Sequence, residues 1–399
     1  MPRRPLLTPD ASDPRTPVVV AARRTPVARA GGALAGYDVT ALAAPVLRAL
    51  RDDLVRLGGR AGGAGLVDEV VLGNCTGPGG DPARVAALAA GLGTGVPGVT
   101  VDRQCGSGLE AVAVAAQRVL AGGGTVLAGG VESPSTAPTR ALARPDGTRV
   151  PYRRARFAPD EHGDPDMGPA ADDLARLRGI SRERQDAYAL RSHRLALAAA
   201  AAGAYAAELV AVGDVVADTR PRSGLSAGRL ARFRPAFAAE GTVTVGNASG
   251  IDDGAAAVAV VDEAARAALG VPGLAVRAYA ARGVDPRLPG LGTAPAVEAV
   301  LAAAGLRVQD VALEVTEAFA AQLLACTDAL GVDALDDGPT GVCTQGGAIA
   351  LGHPWGTSGA LLVVRLLARM VGADGPRFGV AACAVGGGQG VAMLVERVG

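Results

Sequence analysis

The chain contains no lysine, so all 39 of its positive charges are arginine. Without a lysine amine to condense with a carbonyl, Schiff-base chemistry on pyridoxal phosphate or an aldol substrate is excluded. Heavy Ala, Gly and Val usage accompanies that absence and points to a GC-rich coding bias. Five cysteines, Cys75, Cys105, Cys326, Cys343 and Cys383, lie far apart and in odd number. They form neither a disulfide framework nor a CxxC metal site, which suits a reducing cytoplasm. No P-loop, dinucleotide fingerprint or metal-ligand cluster is present, so no metal and no resident cofactor is expected. No apolar run approaches the roughly 18 residues of a spanning helix, so no membrane partner is expected. Residues 1–16 are rich in Pro, Arg and Asp without an apolar centre, and read as a loose, disordered tail and not as a signal peptide. The 39 acidic residues cancel the arginines, and the basic residues are dispersed, leaving no footprint for nucleic acid.

What is present is an α/β pattern. With 399 residues the chain has room for two or three domain-sized units. Buried-strand runs occur at Pro17–Ala22, Glu69–Gly73, Gly98–Val101 and Thr125–Gly130, and a helical spacing of apolar residues follows Leu109. The scheme returns near the C-terminus: a strand at Val311–Val315, a helix from Glu317 to Leu330, a helix around Ser358–Met370, and strands at Phe378–Ala382 and Val391–Val395. In both halves a glycine-rich loop opens an apolar helix, which suggests an internal duplication over a mixed sheet. Between the halves, residues 136–240 shift to Arg, Asp and Pro and read as an insertion over the core. Ser181 is placed there as the N-cap of a helix.

Three glycine-rich segments carry the candidate chemistry. Arg103-Gln104-Cys105-Gly106-Ser107-Gly108-Leu109 sets a thiol where a strand turns into a helix. There, free N–H groups and the helix dipole favour the thiolate, although most free cysteines are small buried hydrophobes. Gly346 to Pro354 includes His353, one of three histidines and the one set in a Gly/Pro loop. Its imidazole suits polarising a carbonyl or exchanging a proton. Cys383-Ala384-Val385-Gly386-Gly387-Gly388 completes the set.

These segments occur together with Gly129-Gly130-Val131-Glu132-Ser133, Gly246-Asn247-Ala248-Ser249-Gly250 and Glu317-Ala318-Phe319-Ala320-Ala321-Gln322. In this order and spacing, from Val18 to Glu396, the chain resembles the thiolases. The resemblance implies a thiolase fold: two similar βαβαβαββ halves in five layers (α-β-α-β-α) with an inserted loop domain. Its N-terminal half would span 17–135, completed by 241–272, with the loop domain at 136–240 and the C-terminal half at 273–399. It further implies coenzyme A thioesters as substrates and a homodimer or homotetramer. Cys105 would become acylated, with the N–H groups of Cys105 and Gly386 as oxyanion hole. His353, with a water held at position 316, would stabilise an enolate oxygen. Ala248, Ser249, Met167 and Phe319 would line the pantetheine path, and Arg220 or Arg222 would meet the nucleotide end.

The chain departs from the family pattern at several positions. The family's terminal loop reads Cys-x-Gly-Gly-Gly; here Ala384 holds the acid/base position and Cys383 lies one residue earlier. Strand alternation then turns Cys383 away from Cys105, unless a bulge returns it to the site. Thr316 replaces the asparagine of Asn-Glu-Ala-Phe, and its hydroxyl can still hold a water. Asp166 replaces the histidine before Met167-Gly168, and a carboxylate there must be protonated or turned aside. Cys343 and Gln345 replace asparagines, with Cys343 read as packing. The function expected is Claisen-type bond formation or thiolysis through a Cys105 acyl-enzyme. Two alternatives stand beside it: acyl transfer to an amine, hydroxyl or decarboxylating acceptor, and a non-catalytic acyl-CoA-binding scaffold.

Overall fold

The computed structural model describes residues 5–58, 65–371 and 375–399. Its N-terminal sheet runs in the order β1 (Pro17–Arg24), β7 (Asp252–Asp262), β4 (Val126–Glu132), β2 (Glu69–Gly73), β3 (Gly98–Val101). The C-terminal sheet runs β9 (Val311–Val315), β10 (Phe378–Val385), β11 (Gln389–Val398), β8 (Gly273–Gly283). The two join edge to edge where Leu274 and Ala275 of β8 pair with Val19 and Val18 of β1. β2 is parallel to β3 and β4, and β9 is parallel to β10, so crossover helices must cover both faces.

Those helices make five layers. α1 (Val39–Arg56) and α2 (Pro82–Ala89) cover one face of the first sheet, packing Leu42, Leu47 and Leu50 against Val70, Leu72 and Leu127. α3 (Ser107–Leu120) and α8 (Trp355–Met370) fill the middle, where Val112, Ala116, Val363 and Leu366 meet Val258 of one sheet and Ala381 of the other. α6 (Thr293–Ala304) and α7 (Ala320–Leu330) cover the far face with Val297, Val300, Leu323 and Leu324. β10 alternates between layers: Val380 and Ala382 face α6 and α7, while Ala381, Cys383 and Val385 face α3 and α8. The halves repeat, except that the counterpart of β3 shrinks to a single parallel bridge between Leu313 and Val342.

Between β4 and β7 lie a hairpin of β5 (Arg140–Ala143) and β6 (Arg149–Tyr152), then α4 (Met167–Arg178) and α5 (Arg182–Ala201). Ser181 caps α5, accepting from the Arg184 N–H at 3.2 Å. No helix among the described residues is long and apolar enough to cross a membrane.

Two expectations are corrected. The segment before β1 is not a loose tail over its described part. β1 pairs only with the start of β8, so the next stretch of that strand has open N–H and C=O groups. Leu6 and Leu7 pair there with Tyr279 and Ala278, and Thr8 Oγ1 donates to Val276 O at 2.5 Å. α7 begins at Ala320 and not at Glu317, because the preceding backbone is bound to another loop. Ser249 N donates to Ala318 O at 2.9 Å and Ala320 N to Asn247 O at 2.9 Å.

α3 and α8 approach backbone to backbone. A Cβ on Gly108 would sit 2.7 Å from Ala360 N, and one on Gly359 would sit 2.4 Å from Leu109 N. Backbone atoms cannot swing aside as a side chain can. Gly359→Ala should therefore destabilise the fold by at least ~1–3 kcal/mol in urea unfolding. An unchanged midpoint would mean that the helices separate freely.

Candidate active site

Cys105 sits in the turn between β3 and α3, two residues before the helix begins. Ser107 holds that turn, its Oγ donating to Gln104 O at 2.6 Å and accepting the Arg103 N–H at 2.7 Å. Gly106 has no room for a side chain, since a Cβ would meet Val385 and Val391 at 2.9 and 3.0 Å. Cys105 is partly exposed. Burial nevertheless pushes its thiol up to about 12, and the nearby Cys383 adds to the shift. The helix terminus was expected to favour the thiolate; burial acts in the opposite direction.

His353 begins the approach to α8. Its N–H donates to Asp252 Oδ2 at 2.8 Å, and its Nδ1 lies 2.6 Å from Ser358 Oγ. Gly352 enforces the geometry, with φ +111 and a Cβ position only 2.9 Å from Asp252. Burial lowers the imidazole to about 4, so it is neutral at pH 7. A cavity of about 30 Å³ is lined by the chain neighbour of His353, Gly352, and its partner Ser358, together with Thr316 and Gly346. That is room for one water with several polar neighbours.

Thr316 and Cys383 touch, Oγ1 to Sγ, at 2.9 Å. Cys383 does not turn away from Cys105, contrary to expectation. The expectation carried strand alternation correctly, but β10 is the floor of the central layer that α3 enters. Cys383 therefore lies beneath Cys105 and close enough to shift it, while being 0% exposed itself. Burial also pushes the Cys383 thiol up to about 12. No bulge interrupts the β10–β11 ladder, in which Cys383 pairs with Val391 and Ala384 with Gly390.

Gly386 follows β10 and is buried. Among the described residues, neither the Gly386 N–H nor the Cys105 N–H donates to an acceptor on another residue. Unsatisfied buried amides are uncommon and need a reason. The buried Gly386 amide is one such group; the Cys105 amide, on a partly exposed residue, lies against its own thiol.

The binding residues read from the sequence fall into two groups. Ala248 bridges to Phe319, whose ring meets Phe237 edge-on with centroids 6.0 Å apart, and Ser249 is tied to Ala318. Phe237 in turn packs on Gly168, next to the half-buried Met167. These residues form one apolar wall. Arg220 is committed to Asp252 at 3.1 Å, whereas Arg222 keeps its guanidinium without a carboxylate partner among the described residues. Burial, with Arg220 and Arg29 nearby, lowers the Arg222 pKa. Asp166 is exposed and bound by Arg154 Nε at 2.8 Å, so its charge is both turned outward and compensated.

Several supporting residues escaped the sequence reading. Glu317 is fully buried and accepts from Tyr188 Oη at 2.6 Å, Ser192 Oγ at 2.8 Å and Ile349 N at 3.0 Å. It thereby pins the histidine loop to α5. Asp252 and Ser358 orient His353. None carries a local signal, because each acts on a segment far away in sequence. Among the described residues, no group of three or more His, Cys, Asp or Glu is placed to hold a metal ion.

The thiolase N-terminal domain model matches residues 17–264, and the thiolase C-terminal domain model matches 272–397. The chain is 42% identical to the acetyl-CoA acetyltransferase of Escherichia coli (strain K12), over 96% of this chain and 99% of that one. It is 40% identical to the beta-ketoadipyl-CoA thiolase of Escherichia coli, over 94% and 98%. The crystal structure of the Bacillus anthracis acetyl-CoA acetyltransferase superposes with a TM-score of 0.85 at 35% identity, over 96% and 99%.

Two outcomes follow from the thiols. Because burial pushes the Cys105 thiol up to about 12, its alkylation by iodoacetamide should rise steadily with pH and show no plateau below about pH 10. A plateau near neutrality would show a resting thiolate. Cys343 holds φ +46, and its Sγ donates to Val315 O at 3.3 Å and accepts Val315 N–H at 3.4 Å. Asparagine tolerates the left-handed region and can make both bonds. Cys343→Asn should add about 0.5–1 kcal/mol in denaturant unfolding, and a loss would contradict that account.

Proposed function

Because the chain belongs to the thiolase family, we propose that it is a CoA-dependent acyltransferase that joins or cleaves the carbon–carbon bond of a 3-ketoacyl-CoA through a Cys105 acyl-enzyme. The observation that carries this is that the turns bearing Cys105 and His353 lead into α3 and α8, whose first turns touch backbone to backbone at Gly108, Gly356 and Ala360. The relatives named above bear acetyltransferase and thiolase names, which weighs against transfer to an amine, hydroxyl or decarboxylating acceptor and against a mere scaffold.

Burial raises the Cys105 thiol and lowers the His353 imidazole, so both shifts oppose a resting thiolate–imidazolium pair. The resting site therefore holds a neutral thiol and a neutral imidazole, and the proton leaves sulfur as the thioester is attacked. The amides of Cys105 and Gly386 receive the developing oxyanion, and CoA departs as the thiol with that proton. In the carbon–carbon step a Ser358 hydroxyl turned from Pro354 O to Nδ1 would leave the His353 Nε2–H as a donor to the enolate oxygen. Thr316 holds the water in the adjoining cavity. Met167, Phe319, Ala248 and Ser249 provide the apolar wall for pantetheine, and Arg222 is the open cation for a CoA phosphate.

The α-proton has no dedicated acceptor, since position 384 is alanine. Cys383 is a neutral, buried thiol bound to Thr316 and is a poor substitute. Acyl loading should thus outrun carbon–carbon chemistry. A homodimer is supported by β3, a half-exposed edge strand beside α2, which exposes Val85 and Leu88 at 44% and 45%. Reaction in the cytoplasm agrees with the free thiols.

Incubation with acetoacetyl-CoA and CoA, followed by intact-protein mass spectrometry, tests this reading. Acetylated wild type, unmodified Cys105→Ser, and turnover raised by about 10²–10⁴-fold in Ala384→Cys are expected. A Cys105→Ser variant that still turns over would overturn the assignment, and no gain in Ala384→Cys would show that another base serves.

A further inference from the structure

We propose that Phe157 is a positioning residue for the Gly386 amide, held in place by a brace built on Arg154; this rests on the oxyanion role given to Gly386 above. Phe157 lies on the segment that leaves β6 and crosses to α4. Its ring is set against the glycine loop so closely that a Cβ on Gly386 would be 2.8 and 2.9 Å from Cδ2 and Cε2. Its carbonyl oxygen lies 2.6 Å from the Cβ position of Gly387. The loop is held from elsewhere as well, where Val284 N donates to Gly388 O at 2.7 Å.

Three successive glycines need such restraint. Gly387 and Gly388 hold φ +81 and +73, and glycine loses more conformational freedom on ordering than any other residue. An oxyanion donor acts only if it is fixed before charge develops, to within a few tenths of an ångström. An aromatic ring supplies a rigid face with few rotatable bonds. It also keeps water away from an amide that has no protein acceptor, leaving that donor free for the substrate oxygen.

Phe157 is itself fixed. Its N–H donates to Asp164 Oδ1 at 3.2 Å. Arg154 clasps the same carboxylate, Nη1 to Oδ1 at 2.9 Å and Nη2 to Oδ2 at 3.1 Å, and reaches the Asp164 carbonyl at 2.9 Å. Its Nε takes Asp166, and its guanidinium lies 4.7 Å from the Phe157 ring centroid. Singly these half-exposed contacts are weak. Jointly they use up the guanidinium's directional donors and leave the Phe157 backbone one position. The carboxylate of Asp166, anomalous by sequence, is the outer end of this brace.

The test compares Phe157→Ala, Phe157→Tyr and Arg154→Met with the wild type. Cys105 acylation is followed in single turnovers by mass spectrometry, steady-state kcat and KM are measured, and amide hydrogen exchange is read over residues 384–388. Phe157→Ala should slow acylation about 10–100-fold with KM within about three-fold, since the lost interaction acts in the transition state. Phe157→Tyr should recover most of that rate, and Arg154→Met should fall between. Exchange over 384–388 should quicken in Phe157→Ala and, less, in Arg154→Met. Wild-type acylation and exchange in Phe157→Ala would overturn the proposal. Should that variant fail to fold, wild-type acylation and exchange in Arg154→Met would overturn it. If the wild type loads no acyl group, the acyltransferase reading fails, and the exchange data alone decide the brace.

Discussion

Everything at the site depends on two central helices that touch through their backbones. Gly108 of α3 faces Ala360, and Gly359 of α8 faces Leu109, with less than a methyl group between them. This contact brings the start of both helices to one place, although Cys105 and His353 are nearly 250 residues apart in sequence. It also draws the two sheets together around a shared layer, so that one floor, β10, lies beneath both catalytic loops. Glu132 ties the arrangement from the side. Its carboxylate accepts Cys75 N at 3.1 Å, Thr76 N at 3.0 Å and Gly356 N at 2.9 Å, joining the loop after β2 to the first turn of α8.

Buried carboxylates serve the same purpose throughout the site. Glu132, Glu317 and Asp252 are each 0% exposed and accept backbone N–H groups from glycine-rich loops. A carboxylate can hold several donors at once, which freezes a loop that has no side chains to pack. Arginine plays the complementary part between segments. Arg24 binds Glu208 at 2.6 Å and Asp218 at 2.7 Å, and Tyr205 lies 5.2 Å from its guanidinium and 4.6 Å from that of Arg365. This cluster fastens the inserted segment to both halves. Planar guanidinium groups suit such stacked, forked contacts better than ammonium groups would.

The fold was legible in the sequence because its signals are local. Strand runs such as Glu69–Gly73 and Val311–Val315 fall where they were read, and Ser181 caps its helix. The placing of Cys105 and His353 just before helices was legible because glycine loops before apolar runs have a fixed geometric meaning. What was not legible depends on burial and on distant partners. The opposing effect of burial on Cys105 was not visible, because a helix terminus shows in sequence and desolvation does not. The start of α7 was misplaced because Glu317–Phe319 are held by a loop near residue 247. The direction of Cys383 failed for a related reason: alternation says that neighbours oppose one another, but not which face meets α3.

The displaced thiol shows how a one-residue step changes a group's chemistry without moving it far. At 383 the sulfur remains near Cys105, yet it lies inside the packed layer, fully buried, with Thr316 Oγ1 at 2.9 Å as its polar neighbour. Thr316 and Cys383, two separate departures from the family pattern, are thus one contact. Threonine is shorter than asparagine and would leave space over β10, which the sulfur fills while steadying the hydroxyl. Thr316 Oγ1 and Cys383 Sγ share one hydrogen bond, and Thr316 also lines the small cavity beside Ser358. On the proposed function, Thr316 keeps a hydroxyl where a donor is wanted, and Ala384 gives up the group that would remove an α-proton. Loading of Cys105 draws chiefly on donors; carbon–carbon chemistry needs the proton acceptor as well. On the proposed function, the two half-reactions are accordingly unequal.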